Sequence, residues 1–370
     1  MMKLYRLLIL FAVITANAQG NYKLLVGTYT NECKSEGIYI YDYNATDGGL
    51  KLKGSSEKVI NPSFLTVSND GKYVYSVNEN GTKSTVSSFK YTPSSDTVDL
   101  INKKDAKGMD PCHIITDDTN VIVANYSSGS ITVYGKKDDG ALTNSKQVIA
   151  HTGSGSLAPQ QKDSHIHMVQ FSPDKNYVIA TDLGANKMYV YNYNPKGDKE
   201  TLVLKEEKII AKVGSGPRHF VFNPNGSFMY LIQELDATLT VLYYGEGKMA
   251  TIQELSIAPE DKDAENSAAD IHITKDGKFL YATNRGEANS ITVFQVHANG
   301  KVSKVQEIST EGIAPRNFAI DPDENFVLVA NQKSNNIVIF KRDKTTGMLS
   351  DTGNRVEVCQ PVCLVFTKVK

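Results

Sequence analysis

A segment of about fifty residues recurs along the whole chain, and this repetition constrains the fold more than any other feature. Each copy carries a short apolar strand, an Asp-Gly-like turn, a second apolar strand, and a third strand ending in aromatics. The clearest copies begin at Pro62 (PSFLTVSNDGKYVYSVNE), around Pro217 (GPRHFVFNPNGSFMYLIQE), at Ala268 (AADIHITKDGKFLYATNR) and around Pro315 (APRNFAIDPDENFVLVANQ). Weaker copies begin at Pro111 and Ile166, and a seventh start at Pro361 reaches the C-terminus after one strand. Successive starts lie 46 to 55 residues apart, the length of one four-stranded blade.

The strands are rich in β-branched and aromatic residues, as in Tyr73-Val74-Tyr75-Ser76-Val77 and Ile291-Thr292-Val293-Phe294. Asp70-Gly71, Asn225-Gly226 and Asp276-Gly277 suit the positive φ of tight hairpins. No long amphipathic helix is visible. The segment Tyr22 to Tyr29 reads as a second strand without a first, and the strand from Pro361 lacks partners. Joining the two closes a ring and removes both free edges. The fold class expected is all-β: a seven-bladed β-propeller whose N- and C-terminal strands share one blade, forming a single domain over residues 19–370.

The first 18 residues read as an export leader. Lys3 and Arg6 form a charged start, Leu7 to Ile14 an apolar run, and Ala16-Asn17-Ala18 a small-residue cleavage site. A periplasmic or extracellular location follows, and no later stretch is long and apolar enough to span a membrane as a helix. Lys+Arg 40 against Asp+Glu 41 gives no reason to expect a nucleic-acid or anionic-membrane partner. Four cysteines do not make a disulfide scaffold. Cys33 follows the second strand of the split blade and Cys359 precedes its first, so a Cys33–Cys359 disulfide is expected to lock the ring. Cys112 and Cys363 are expected to be buried thiols.

In a propeller the first strand of each blade lines the channel. Its start and the end of the antiparallel second strand therefore meet at one mouth. One residue past each start stand Ser63, Cys112, His167, Arg218, Ala269, Arg316 and Val362; the second strands end at Glu79, Tyr126, Leu183, Glu234, Arg285 and Gln332. His113, His219 and Asp270 sit one residue further in. Three arginines cannot lose their charge and repel one another unless carboxylates or a bound anion offset them, so an anionic ligand is expected. Metal is disfavoured by a cationic mouth, and no cofactor is expected. The connections His151 to Ser164 and Ser256 to Ser267 lead into first strands and can overhang this mouth, as lids or as plain solvated loops.

The segments Gly216–Asn225, Gln233–Leu235, Ala268–Arg285 and Ile291–Val296 resemble the lactonase family of seven-bladed propellers, which includes bacterial 6-phosphogluconolactonases and fungal carboxymuconate cyclase. The resemblance implies a His, two Arg and a Glu in the active site, matching His167, Arg218, Arg285 and Glu234. Arg316, Glu79, His219 and Asp270 are then candidate substrate-binding residues. The expected activity is hydrolysis of a sugar-acid lactone, 6-phosphogluconolactone first, by a monomer acting on a small anionic substrate. Either His167 or Glu234 would serve as base, the guanidiniums lowering the carboxyl of the latter. A cycloisomerase using the same groups, or a secreted propeller that only binds, are the alternatives. No G-x-S-x-G elbow offers a nucleophilic serine.

Overall fold

A computed structural model describes residues 22–157, 159–210, 212–259 and 265–369. The leader expected over residues 1–18 lies outside them. Among the described residues, 28 strands form seven four-stranded antiparallel sheets, and the only helical turn is a 3-10 turn at Gly81–Lys83. The blades are Phe64–Asp105 (blade 1), Pro111–Ala150 (blade 2), Ile166–Ile209 (blade 3), Pro217–Ser256 (blade 4), Ala268–Ser309 (blade 5) and Pro315–Glu357 (blade 6). Blade 7 joins Pro361–Lys368 to the N-terminal strands from Tyr22 to Ser55. The seven innermost strands contact one another in a closed ring.

Burial explains the pattern of each strand. Second strands are covered on both faces by neighbouring blades, so Val121, Ile122, Val123 and Ala124 are all fully buried. Seven apolar clusters fill the spaces between blades, one for each neighbouring pair. Outer hairpins dock on the preceding blade through close contacts. Gly300, at φ +80°, accepts a hydrogen bond from the Tyr230 hydroxyl (3.1 Å), and a Cβ there would stand 2.3 Å from the Phe228 ring. Only glycine satisfies both the conformation and the approach.

In blade 7, Tyr22–Thr28 pairs with Pro361–Lys368 on one side and with Ile38–Tyr43 on the other, so the ring closes as expected. A disulfide joins Cys33 to Cys359 across 326 residues, with a Cα–Cα distance of 6.0 Å. Cys112 and Cys363 are free and buried. The double variant Cys33→Ser, Cys359→Ser is expected to lose about 2–5 kcal/mol, since so long a loop is then unconstrained in the unfolded chain. Denaturant midpoints of the two proteins check this; equal midpoints would mean the sheet alone closes the ring.

Candidate active site

One backbone contact, repeated in every blade, gathers the site. The N–H that ends each second strand donates to the carbonyl just before the inner strand, at 2.7–3.2 Å, in Tyr29, Glu79, Tyr126, Leu183, Glu234, Arg285 and Gln332. Seven side chains are thereby brought to one mouth. A cleft of about 300 Å³ opens there, lined by Glu79, Asp110, Cys112, Tyr126, Ser127, His167, Glu234 and Arg316.

Glu234 is the hub. Its Oε2 accepts from Arg218 Nε (2.7 Å) and lies 3.6 Å from His167 Nε2; its Oε1 is 3.1 Å from Arg285 Nη2. Arg218 also donates to the Ala269 carbonyl, and Arg285 Nε to the Ser267 carbonyl at 2.9 Å. The structure therefore brings His167, Arg218, Glu234 and Arg285 together. Burial would raise the Glu234 carboxyl, but Arg285, Arg218 and Arg316 outweigh it, and its pKa falls below the usual carboxylate value. Glu234 is a fixed anion, which makes it a poor base. Burial pushes the His167 imidazole well down, and Arg218, His219, Arg316 and Arg285 push it further, so it is neutral at pH 7.

Glu79 stands on another wall. Its Oε1 accepts from the Tyr29 hydroxyl at 2.9 Å and from the Ser63 hydroxyl. Burial raises its pKa, and the opposing effects of Arg316 and these two hydrogen bonds do not cancel the rise. Arg316 lies over the Tyr29 ring, 5.6 Å from its centroid, and its guanidinium makes no hydrogen bond among the described residues. Arg218 and Arg285, in contrast, are ion-paired with Glu234 and each donates to a backbone carbonyl, with Arg285 Nη2 making no hydrogen bond among the described residues. A third wall is aromatic: Tyr126 stacks on His165 (4.4 Å between centroids, 7° between planes) and meets His167 edge-on.

Two expectations change. The mouth is not simply cationic, because Asp110 joins Glu79 and Glu234 in the cleft, its oxygens accepting from Gly81 N–H and Ser127 Oγ, each at 2.7 Å. Carboxylates already offset the arginines, so the case for an anionic ligand rests on Arg316 rather than on all three. His219 and Asp270 do not line the cleft. They belong to a buried channel network in which Asp270 accepts from His219 Nδ1 (2.9 Å), His272 Nε2 (3.0 Å) and Asn317 Nδ2 (2.6 Å). The ladder shifts register between Pro217 and His219 and between Ala268 and Ile271, so simple alternation does not set these side chains, and the His219 ring packs edge-on against His167 at 5.3 Å between centroids.

Tyr29, Asp110, His165 and Ser267 were outside the expected set, yet register could have found them. Tyr29 is the seventh member of the second-strand series, hidden because its blade is split. Asp110, His165 and Ser267 each occupy the position just before an inner strand. Of the two long connections, the first is pinned by Gln161, whose amide donates to the Leu183 carbonyl (2.8 Å) and to Asn186 (2.9 Å). The second ends at Ser267, beside Glu234; its residues 260–264 lie outside those described.

The profile of the family Lactonase, 7-bladed beta-propeller, matches residues 23–366. A 6-phosphogluconolactonase of Formosa agariphila is 37% identical over 332 residues, covering 88% of this chain and 94% of that one. The Bacillus subtilis 6-phosphogluconolactonase is 35% identical, covering 92% and 97%. Among solved structures, the periplasmic gluconolactonase of Pseudomonas aeruginosa superimposes with a TM-score of 0.88 at 35% identity, covering 95% of this chain and all of that one. The chain belongs to the lactonase family of seven-bladed β-propellers.

Proposed function

We propose that this protein hydrolyses the lactone of a sugar acid, with 6-phosphogluconolactone as the first substrate to test. The observation that carries this reading is a neutral His167 and a guanidinium with free donors, Arg316, facing one cleft beside the fixed anion Glu234. Relatives named for these lactones support it.

In this mechanism a water attacks the lactone carbonyl and gives a proton to His167. Glu234, 3.6 Å away, stabilises the imidazolium that forms. The field of the guanidiniums favours the tetrahedral oxyanion, and Arg316 holds the anionic substituent or the oxyanion itself. The Tyr126–His165 stack gives a flat apolar face for a sugar ring. The leader-like residues 1–18, the disulfide and the periplasmic relative support a site outside the cytosol.

Purified protein is expected to open 6-phosphogluconolactone faster than the spontaneous rate and faster than unphosphorylated gluconolactone. Arg316→Ala should raise KM for the phosphorylated substrate about 10–100-fold, the value of a charge-assisted contact, with a smaller change for gluconolactone. Equal loss on both would place Arg316 at the oxyanion. No turnover of either by wild type would overturn the hydrolase reading, and a product formed without uptake of water would favour a cycloisomerase.

A further inference from the structure

The hydrolase reading supplies a base for the attacking water but leaves the ring oxygen, expelled as an alkoxide, without a proton donor. We propose that Glu79 is the general acid of ring opening, handing its proton to that oxygen as the C–O bond breaks. The inference rests on the hydrolase reading and assigns Glu79 a chemical role in place of simple binding.

Two glutamates reach this cleft, and their surroundings differ. Both oxygens of Glu234 are taken up, by Arg218 and His167 on one side and by Arg285 and Ser267 on the other. In Glu79 a single oxygen, Oε1, receives both hydroxyls, Tyr29 and Ser63, while Oε2 has no partner among the described residues. The carboxyl is therefore held by one oxygen and offers the other. Its placement is also suitable. Glu79 comes from blade 1 and His167 from blade 3, so the cleft lies between them, with Cys112 of blade 2 on the intervening inner strand.

The groups facing Glu79 are Arg316, Tyr29, Asp110 and Ser63, with the buried thiol of Cys112 nearby. Burial raises its pKa most; Arg316, Ser63 and Tyr29 lower it; Asp110 raises it again; and the net shift is upward. Glu234 shifts the other way. One carboxyl able to carry a proton and one unable to do so, in a single cleft, is the pattern of an acid paired with an electrostatic stabiliser.

The proton balance closes. Water loses one proton to His167 as its oxygen bonds to the carbonyl carbon. The electron pair of the breaking C–O bond stays on the ring oxygen, which takes the Glu79 proton. The new carboxylic acid returns a proton to Glu79, and His167 releases its own to solvent. The sum is lactone plus water to carboxylate plus one proton.

Glu79→Gln keeps an oxygen to accept from Tyr29 and Ser63 but has no proton to give. On the lactone that wild type opens fastest, kcat corrected for spontaneous hydrolysis should fall about 10²–10⁴-fold, with KM little changed. Wild-type kcat should decline on the alkaline side as Glu79 loses its proton, and the variant should lack this decline. Tyr29→Phe removes a hydrogen bond that favours the charged form, so it should move the decline to higher pH. Glu79→Asp should restore part of the rate.

A glutamine variant within tenfold of wild type, or one retaining the alkaline decline, would overturn the assignment while hydrolysis stands. So would a loss in Glu79→Gln with the decline unmoved in Tyr29→Phe, which would make Glu79 only a counter-charge for Arg316. Absence of wild-type turnover would instead overturn the hydrolase reading itself.

Discussion

Replacing Glu234 by alanine is expected to cost the propeller about 3–5 kcal/mol of stability and to abolish turnover. The stability loss follows from what remains. Arg218 is only 2% exposed, and its Nε would lose its carboxylate; Arg285 would lose the same partner. Removing one member of a buried ion pair leaves the other uncompensated, which is far more costly than the pair was favourable. Glu234→Gln separates the two effects. It keeps an oxygen for Arg218, so its stability should lie between alanine and wild type, but it removes the negative charge beside His167. The imidazolium formed in the reaction then has three guanidiniums nearby and no carboxylate at 3.6 Å. Turnover of Glu234→Gln should fall at least tenfold, with the circular dichroism spectrum unchanged. A glutamine variant with wild-type kcat would show that Glu234 only neutralises the arginines.

The repeat made the ring readable, because turn glycines and aromatic strand ends recur at a near-constant spacing. Register then placed His167, Arg218, Glu234, Arg285, Glu79 and Arg316 at one mouth. It could do so because hydrogen-bonded ladders fix which strand ends meet. Tyr29 escaped because its inner strand lies at the opposite end of the chain. The roles were less accessible. Spacing shows that three arginines converge but not that Arg218 and Arg285 are already held, since their partners include backbone carbonyls, Ala269 of the neighbouring blade and Ser267 just before the inner strand, that residue types do not announce. His219 and Asp270 follow mouth residues by one position where the ladder shifts register, and repeat spacing does not carry that irregularity or the hydrogen bond that joins the two behind His167.

Acid should destabilise the fold steeply between pH 6.5 and 4, through histidines that are buried as neutral rings. Burial, reinforced by neighbouring positive groups, holds His113 and His167 well below their ordinary value and His219 at about 4. In the unfolded chain each takes up a proton near pH 6.5; in the folded protein it does so only at lower pH. The unfolded state therefore binds more protons throughout this window, and stability falls as pH falls. His219 alone accounts for about 3 kcal/mol between 6.5 and 4. His272 has the opposite sign: Asp270 overcomes the burial that would lower its pKa, so its contribution changes only above pH 6.5 and does not flatten the acid limb. Asp270, held well below 3.8 despite burial by His272 and His219, adds a further loss only below about pH 4. Urea midpoints measured from pH 7 to 4 should drop with a slope set by several protons. His113→Met should make that slope shallower by about one proton, because His113 Nδ1 has no hydrogen-bond partner and its ring packs on Phe64 at 4.2 Å, so no buried bond is broken. A midpoint constant across this range would mean that the channel histidines charge in the folded protein, and the neutral His167 on which the proposed base depends would be lost with them.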